Sequence, residues 1–119
     1  MLQDEACVPC RRPLKPMPRD DARALLPEVP GWQLVTRDGV DALQRTFTFP
    51  DFAPALRFTV ALGALAEEAG HHPAVLTEWG RVTVWWWTHV ARGLHRNDFV
   101  MAARTSALAT SDETGKSAR

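Results

Sequence analysis

The sequence predicts an α+β domain, a four-stranded, largely antiparallel sheet with three helices packed on one face, in the order α-β-β-α-β-β-α. Three observations carry this. Short stretches of alternating character flank Asp38-Gly39, a second such pair flanks Gly80, and a long segment with helical spacing separates the pairs. Strand pairs interleaved with helices bury one face of an antiparallel sheet and leave the other to be covered differently.

Residues 1–19 carry Pro9, Pro13, Pro16 and Pro18 and are expected to form a flexible lead-in. The domain proper is expected over residues 20–109, followed by a flexible tail over 110–119. Asp20 or Asp21 suits the N-cap of a short helix through Leu26, stopped at Pro27, and Pro30-Gly31 makes a turn. Trp32 to Arg37 and Ala42 to Phe49 then read as strands joined by the tight-turn chemistry of Asp38-Gly39. In the second of these, Leu43, Arg45, Phe47 and Phe49 share one face, and Ala42, Gln44, Thr46 and Thr48 the other.

Pro50-Asp51 opens the longest helix, from about Phe52 to Ala69, with Phe52, Leu56, Thr59, Leu62, Gly63 and Ala66 recurring at helical spacing. Pro54 is tolerated in its first turn, and Gly70 suits its C-terminus because glycine takes the left-handed conformation cheaply. Ala74 to Trp79 and Arg81 to His89 form the second hairpin. Its second strand puts Val82, Val84, Trp86 and Thr88 under a helix, and Arg81, Thr83, Trp85, Trp87 and His89 on the face left for a ligand or a partner subunit. A last helix is expected from Asn97-Asp98 to about Leu108.

Bulk properties exclude several functions. Acidic and basic residues balance at 14 each, so the electrostatic footprint of a nucleic-acid binder is missing. No apolar run approaches the roughly 20 residues that span a bilayer. The acidic start, Met1-Leu2-Gln3-Asp4-Glu5, has no apolar signal core, so the cytoplasm is the expected compartment. Cys7 and Cys10 form a single Cys-Val-Pro-Cys pair, and structural zinc needs a second pair or two histidines beside it. No function is assigned to them.

Three of the four histidines fall in one pattern: His71-His72 just past the long helix, and His89 at the far end of the second hairpin. Pairing around Gly80 brings the segment before residue 74 near the segment after residue 86, so the three imidazoles can converge. Imidazole exchanges protons near neutral pH, which makes such a cluster a candidate acid–base site. Metal ligation is the rival, but no fourth soft ligand stands beside them and no pair sits on one helical face. Glu67, four residues before His71, is either a solvated helix charge or a partner that orients an imidazole. Asp98 reads as an N-cap, Trp79 as packing, and His95 as a turn residue.

The series Glu67, His71-His72-Pro73, Trp79, His89 and Asp98 resembles the signature of the pterin-4a-carbinolamine dehydratases. The stretches Leu76-Thr77-Glu78-Trp79-Gly80 and Gly93-Leu94-His95-Arg96-Asn97-Asp98 resemble its bacterial branch, and the likeness covers roughly residues 20 to 108. The resemblance implies a small α+β hydro-lyase that dehydrates 4a-hydroxytetrahydrobiopterin to the quinonoid dihydropterin, recycling the pterin spent by an aromatic amino acid hydroxylase, typically phenylalanine hydroxylase. It implies no metal, no organic cofactor, and a homodimer or homotetramer. By matching positions, His71, His72 and His89 surround the pterin as catalytic residues, with Gly70, Trp87, Thr88 and Glu67 as substrate contacts. Relatives that partner a transcription factor or serve hydroxylase expression imply an interaction role as the alternative, and molybdopterin metabolism is a third.

Overall fold

Asp38 and Gly39 both take left-handed backbone, with φ of 53° and 77°, and turn the chain between β1 (Gln33–Arg37) and β2 (Val40–Thr48). That conformation at both central residues matches the twist of the flanking strands, which is why Asp-Gly serves there. A second hairpin joins β3 (Ala74–Glu78) to β4 (Arg81–Trp86). The sheet order is β1-β2-β4-β3, and each neighbouring pair is antiparallel. The two hairpins therefore meet through β2 and β4, where Leu43 faces Trp86 and Phe47 faces Val82. The computed structural model describes residues 2–7 and 15–117, with side chains described as far as residue 110.

Among the described residues, three α-helices accompany the sheet: α1 (Arg19–Leu25), α2 (Phe52–Ala69) and α3 (Arg96–Ser117). Leu43 and Phe47 of β2 and Val82, Val84 and Trp86 of β4 lie in one core cluster with Ala55, Phe58, Leu62 and Ala66 of α2 and Phe99, Ala102 and Ala109 of α3. A fully buried side chain of this size contributes roughly 1.5–3 kcal/mol, so this shared face, rather than helix propensity, holds α2 and α3 in place. Asp51 caps α2 by accepting from the Ala53 N–H at 3.2 Å.

Several expectations shift. The buried face of α2 is Ala55, Phe58, Leu62 and Ala66, while Phe52 and Leu56 are about half exposed, at 45% and 44%, and Gly63 is exposed. Both sets recur at helical spacing. The aromatic pocket decides, because Phe58 lies 5.0 Å from Phe47 and 5.4 Å from Phe49 between ring centroids. α1 starts at Arg19 after Pro18, with no side-chain cap from Asp20 or Asp21. β4 ends at Trp86, and His89 opens a 3-10 turn, His89–Ala91, instead of closing a strand. Arg92, at φ 54°, turns that loop back so that Thr88 bridges Gly93. α3 runs to Ser117, well past the expected end near Leu108.

Part of the expected lead-in is anchored. Leu2 is buried, Glu5 pairs with Arg96 at 2.7 Å, and Arg104 donates to the carbonyls of Gln3 and Glu5. Cys7 packs against the core as a half-buried residue, whereas Cys10 lies outside the described residues. Among the described residues, no helix is long and apolar enough to cross a membrane.

Candidate functional site

The end of α2 separates the two adjacent histidines. Gly70 adopts φ 67°; its N–H donates to the Glu67 carbonyl and the His71 N–H to the Ala66 carbonyl, both at 3.2 Å. This pair of bonds is the Schellman closure, and it satisfies carbonyls that the helix end would leave bare. The chain leaves it extended into β3, so successive side chains point opposite ways. His71 turns inward, its side chain 8% exposed, and His72 turns outward, 56% exposed.

His71 is held on two sides. Its Nε2 lies 2.6 Å from Oδ1 of Asp98, whose side chain is fully buried. Its ring stacks on the Trp86 indole, with centroids 5.6 Å apart and planes within 6°. The other Asp98 oxygen, Oδ2, accepts from the Thr88 hydroxyl at 2.8 Å and from the His95 N–H at 2.9 Å. His95, just before α3, accepts from the Asn97 N–H through Nδ1 at 3.0 Å. These two reciprocal bonds resemble a capping box, with Asp98 in the place of the usual Glu. One carboxylate thus closes α3, ties down the loop after β4 and fixes an imidazole. As a carboxylate it only accepts, so His71 presents Nε2–H to it and leaves Nδ1 for other work.

His72 Nε2 lies 2.5 Å from Oε1 of Glu67 one helical turn back. On the open side of the sheet the Trp87 ring lies 4.6 Å from the His89 ring, tilted by 36°. The Arg37 guanidinium covers that aromatic surface, 4.9 Å from the Trp85 centroid and 5.4 Å from that of Trp87. Trp85 donates from Nε1 to Gln44 Oε1 at 2.7 Å.

The β3–β4 register sets Ala74 opposite Trp85, so the residues just before Ala74 run alongside those just after Trp85. This gathers His71 with Trp86, Thr88 and Asp98 on the covered side, and leaves His72, Trp87 and His89 on the open side. Among the described residues, no hydrogen bond or ring contact joins one of these imidazoles directly to another. They form an open, two-tier surface. Trp79 stands at the β3–β4 turn, 69% exposed, outside the core expected for it. Among the described residues, no group of three or more His, Cys, Asp or Glu is arranged to hold a metal ion.

Asp98 is the residue that sequence reasoning undervalued: expected as the N-cap of the last helix, it lies instead inside the first turn of α3, accepts the His95 N–H from there, and anchors His71. The signal lay in the shared parity of Trp86 and Thr88, which turns the Thr88 hydroxyl inward, where a buried hydroxyl needs a partner.

The model of the family described as pterin 4 alpha carbinolamine dehydratase matches residues 15–108. A protein of Chlorobium limicola with the provisional name pterin-4-alpha-carbinolamine dehydratase is 58% identical over 107 residues, which cover 90% of this chain and 95% of the relative. A solved transcriptional coactivator/pterin dehydratase from Brucella melitensis superposes with a TM-score of 0.71 at 32% identity, over 80% of this chain and 99% of that one. A solved pterin dehydratase-like protein, identified as a RuBisCO assembly factor in the alpha-carboxysome, aligns with a TM-score of 0.56 at 28% identity, over 66% of this chain and 89% of that one.

Proposed function

This chain belongs to the pterin 4 alpha carbinolamine dehydratase family, and we propose that it dehydrates 4a-hydroxytetrahydrobiopterin to quinonoid dihydropterin and water in the cytoplasm, recycling the pterin of an aromatic amino acid hydroxylase. In the reaction the C4a–O bond breaks, the hydroxyl leaves as water after gaining a proton, and N5 loses its proton as the C4a=N5 bond forms. Both transfers suit imidazole near neutral pH. Positioned acid–base help supplies about 10²–10⁴-fold, enough for a reaction that needs no covalent nucleophile.

The observation that carries this reading is the division of labour at the end of α2. His72 and His89 stand on the solvent side, with His89 beside the Trp87 face on which a flat pterin can lie. They exchange the two protons. Glu67 fixes the His72 ring by taking its Nε2–H, which leaves Nδ1 for the substrate. His71, locked from behind by Asp98 and Trp86, binds and orients the 4a-hydroxyl. Gly70 and Thr88 place these side chains through the helix cap and through Asp98.

The test is stopped-flow decay of freshly generated carbinolamine, followed by its ultraviolet absorbance. Wild-type protein accelerates the decay and the His72→Ala and His89→Ala variants lose most of that acceleration. Decay no faster than buffer sinks the dehydratase reading, and two fully active variants sink the assignment of roles.

The enzyme works as a homodimer or homotetramer. Phe52, Leu56 and Val60 project from α2 as exposed apolar side chains, with Leu76 and Trp79 exposed on and beside β3. Apolar groups spaced along one helix in this way favour burial against a second copy. The Brucella neighbour, a transcriptional coactivator/pterin dehydratase, supports an interaction role as the second reading.

A further inference from the structure

A cavity of about 550 Å³ lies away from the histidines, between the N-terminal turn Leu2–Asp4, the Val29-Pro30 segment, β2 and α3. We propose that it binds a small organic acid, with the carboxylate on Arg45 and Ser106 and the apolar body against Leu2, Val29, Pro30, Ala103 and Ala107.

Arg45 is the anomaly that points there. It sits on the covered side of β2, paired with Val84 and flanked at alternate positions by buried Leu43 and Phe47. The Arg45 side chain is half-buried there, and a guanidinium partly withdrawn from water in this way is best satisfied by a carboxylate. Among the described residues, Arg45 has no carboxylate partner. Its contacts are neutral: Nη1 donates to Ser106 Oγ at 2.9 Å and to the Pro30 carbonyl at 3.4 Å, and Cζ lies 4.6 Å over the Phe47 ring.

The group is nevertheless held in place. Gly31, at φ 89°, lets the guanidinium lie against the backbone; a Cβ there would come within 2.9 Å of Arg45 Cζ. Ser106 Oγ accepts from Arg45 and also from Trp32 Nε1 at 2.8 Å. With both lone pairs occupied, the hydroxyl keeps only its proton to offer. The cavity therefore presents two kinds of donor, guanidinium N–H and Ser106 O–H, and the planar fork of arginine matches a carboxylate.

Apolar residues make up much of the remaining wall, and the volume falls in the range of small-molecule sites. Glu28 also lines the cavity. Its charge disfavours a dianion such as phosphate and tolerates a monoanion or a zwitterion.

Titration of the full chain with hexanoate, leucine, hexylamine and inorganic phosphate, followed by calorimetry and by amide chemical shifts, tests the proposal. Hexanoate, leucine or both bind saturably with shifts at Ser106 and Ala107, while hexylamine and phosphate do not. Preference for leucine assigns its ammonium group to Glu28; preference for hexanoate identifies a simple acid as ligand. Arg45→Gln weakens binding about 10–100-fold. Ala107→Phe fills the cavity with Arg45 intact and blocks binding, leaving carbinolamine dehydration at the wild-type rate. Absence of saturable binding by both acids, binding unchanged in both variants, or phosphate binding as tightly as the acids overturns it. Should Arg45→Gln fail to fold, the Ala107→Phe arm decides alone.

Discussion

His71 and Asp98 lie 27 positions apart in the chain and meet at 2.6 Å, Nε2 to Oδ1, in a place where the Asp98 side chain is fully buried and that of His71 nearly so. Because Asp98 also accepts from Thr88 and from the N–H of His95, the start of α3, the loop after β4 and the imidazole behind the site share one anchor. A carboxylate that holds an imidazole from behind in this way sets its ring orientation and tautomer.

Asp98→Asn tests that anchor. The amide keeps the volume and one acceptor but replaces the other acceptor with a donor, so the His71 ring loses its fixed orientation. We expect the dehydration rate to fall about 10–100-fold, by analogy with lost orienting partners elsewhere. Asp98→Ala strands two buried donors and one part-buried one and costs about 3 kcal/mol or more of stability, read by urea denaturation. An Asn variant with wild-type kinetics across the pH range would remove His71 orientation from the mechanism.

His72→Ala and His89→Ala act oppositely on the two readouts. Each lowers the rate by about 10²–10⁴-fold, while the melting temperature moves little, since both residues are exposed. A large loss of stability in either variant shows that the ring serves packing.

Gly70→Ala isolates backbone strain. Nothing lies within 4 Å of the added Cβ, so the cost comes from the left-handed φ of 67° alone. We expect about 1–2 kcal/mol, with Gly70→Asn milder because asparagine tolerates this conformation. Equal stability of Gly70→Ala and wild type in chemical denaturation contradicts the cap.

The anchoring of the N-terminal segment depends on pH with a definite sign. The hydrogen bond from Arg96 holds the Glu5 carboxyl below its ordinary value of 4.5, so the folded state binds this proton less readily than the unfolded chain. The stabilisation is complete above the ordinary value and fades as pH falls through the lowered one. Both partners are solvent-accessible, so the effect is small and screened by salt. Wild type and Glu5→Gln are expected to differ in melting temperature at neutral pH and to converge in acid; a constant difference across that range refutes the pairing.

Leu56→Asp probes self-association. A charge in the exposed α2 stripe leaves the monomer core untouched, because the core face is Ala55, Phe58, Leu62 and Ala66. Light scattering is expected to show a smaller species than wild type with helical content unchanged. The same mass for both proteins removes this stripe from the interface.

Local chemistry was legible in the sequence wherever the determinant lay within a few residues. Asp38-Gly39 specified its hairpin because only residues tolerant of positive φ fit there. Pro50-Asp51 and Gly70 bounded α2 at both ends, and the parity of β4 put Val82, Val84, Trp86 and Thr88 in the interior. The ordering of strands and helices followed from these, as did the likeness to a family. Choices between equal local alternatives needed the tertiary fold. Two stripes of α2 carried the same period, and packing against Phe47 and Phe49 selected the one containing Phe58. His71 and His72 are the same residue type side by side, and only the turn after Gly70 and the burial of Asp98 sent one inward and left the other to solvent. Such contacts join residues far apart in the chain, and their energies depend on which surfaces the whole fold brings together, which no local pattern encodes.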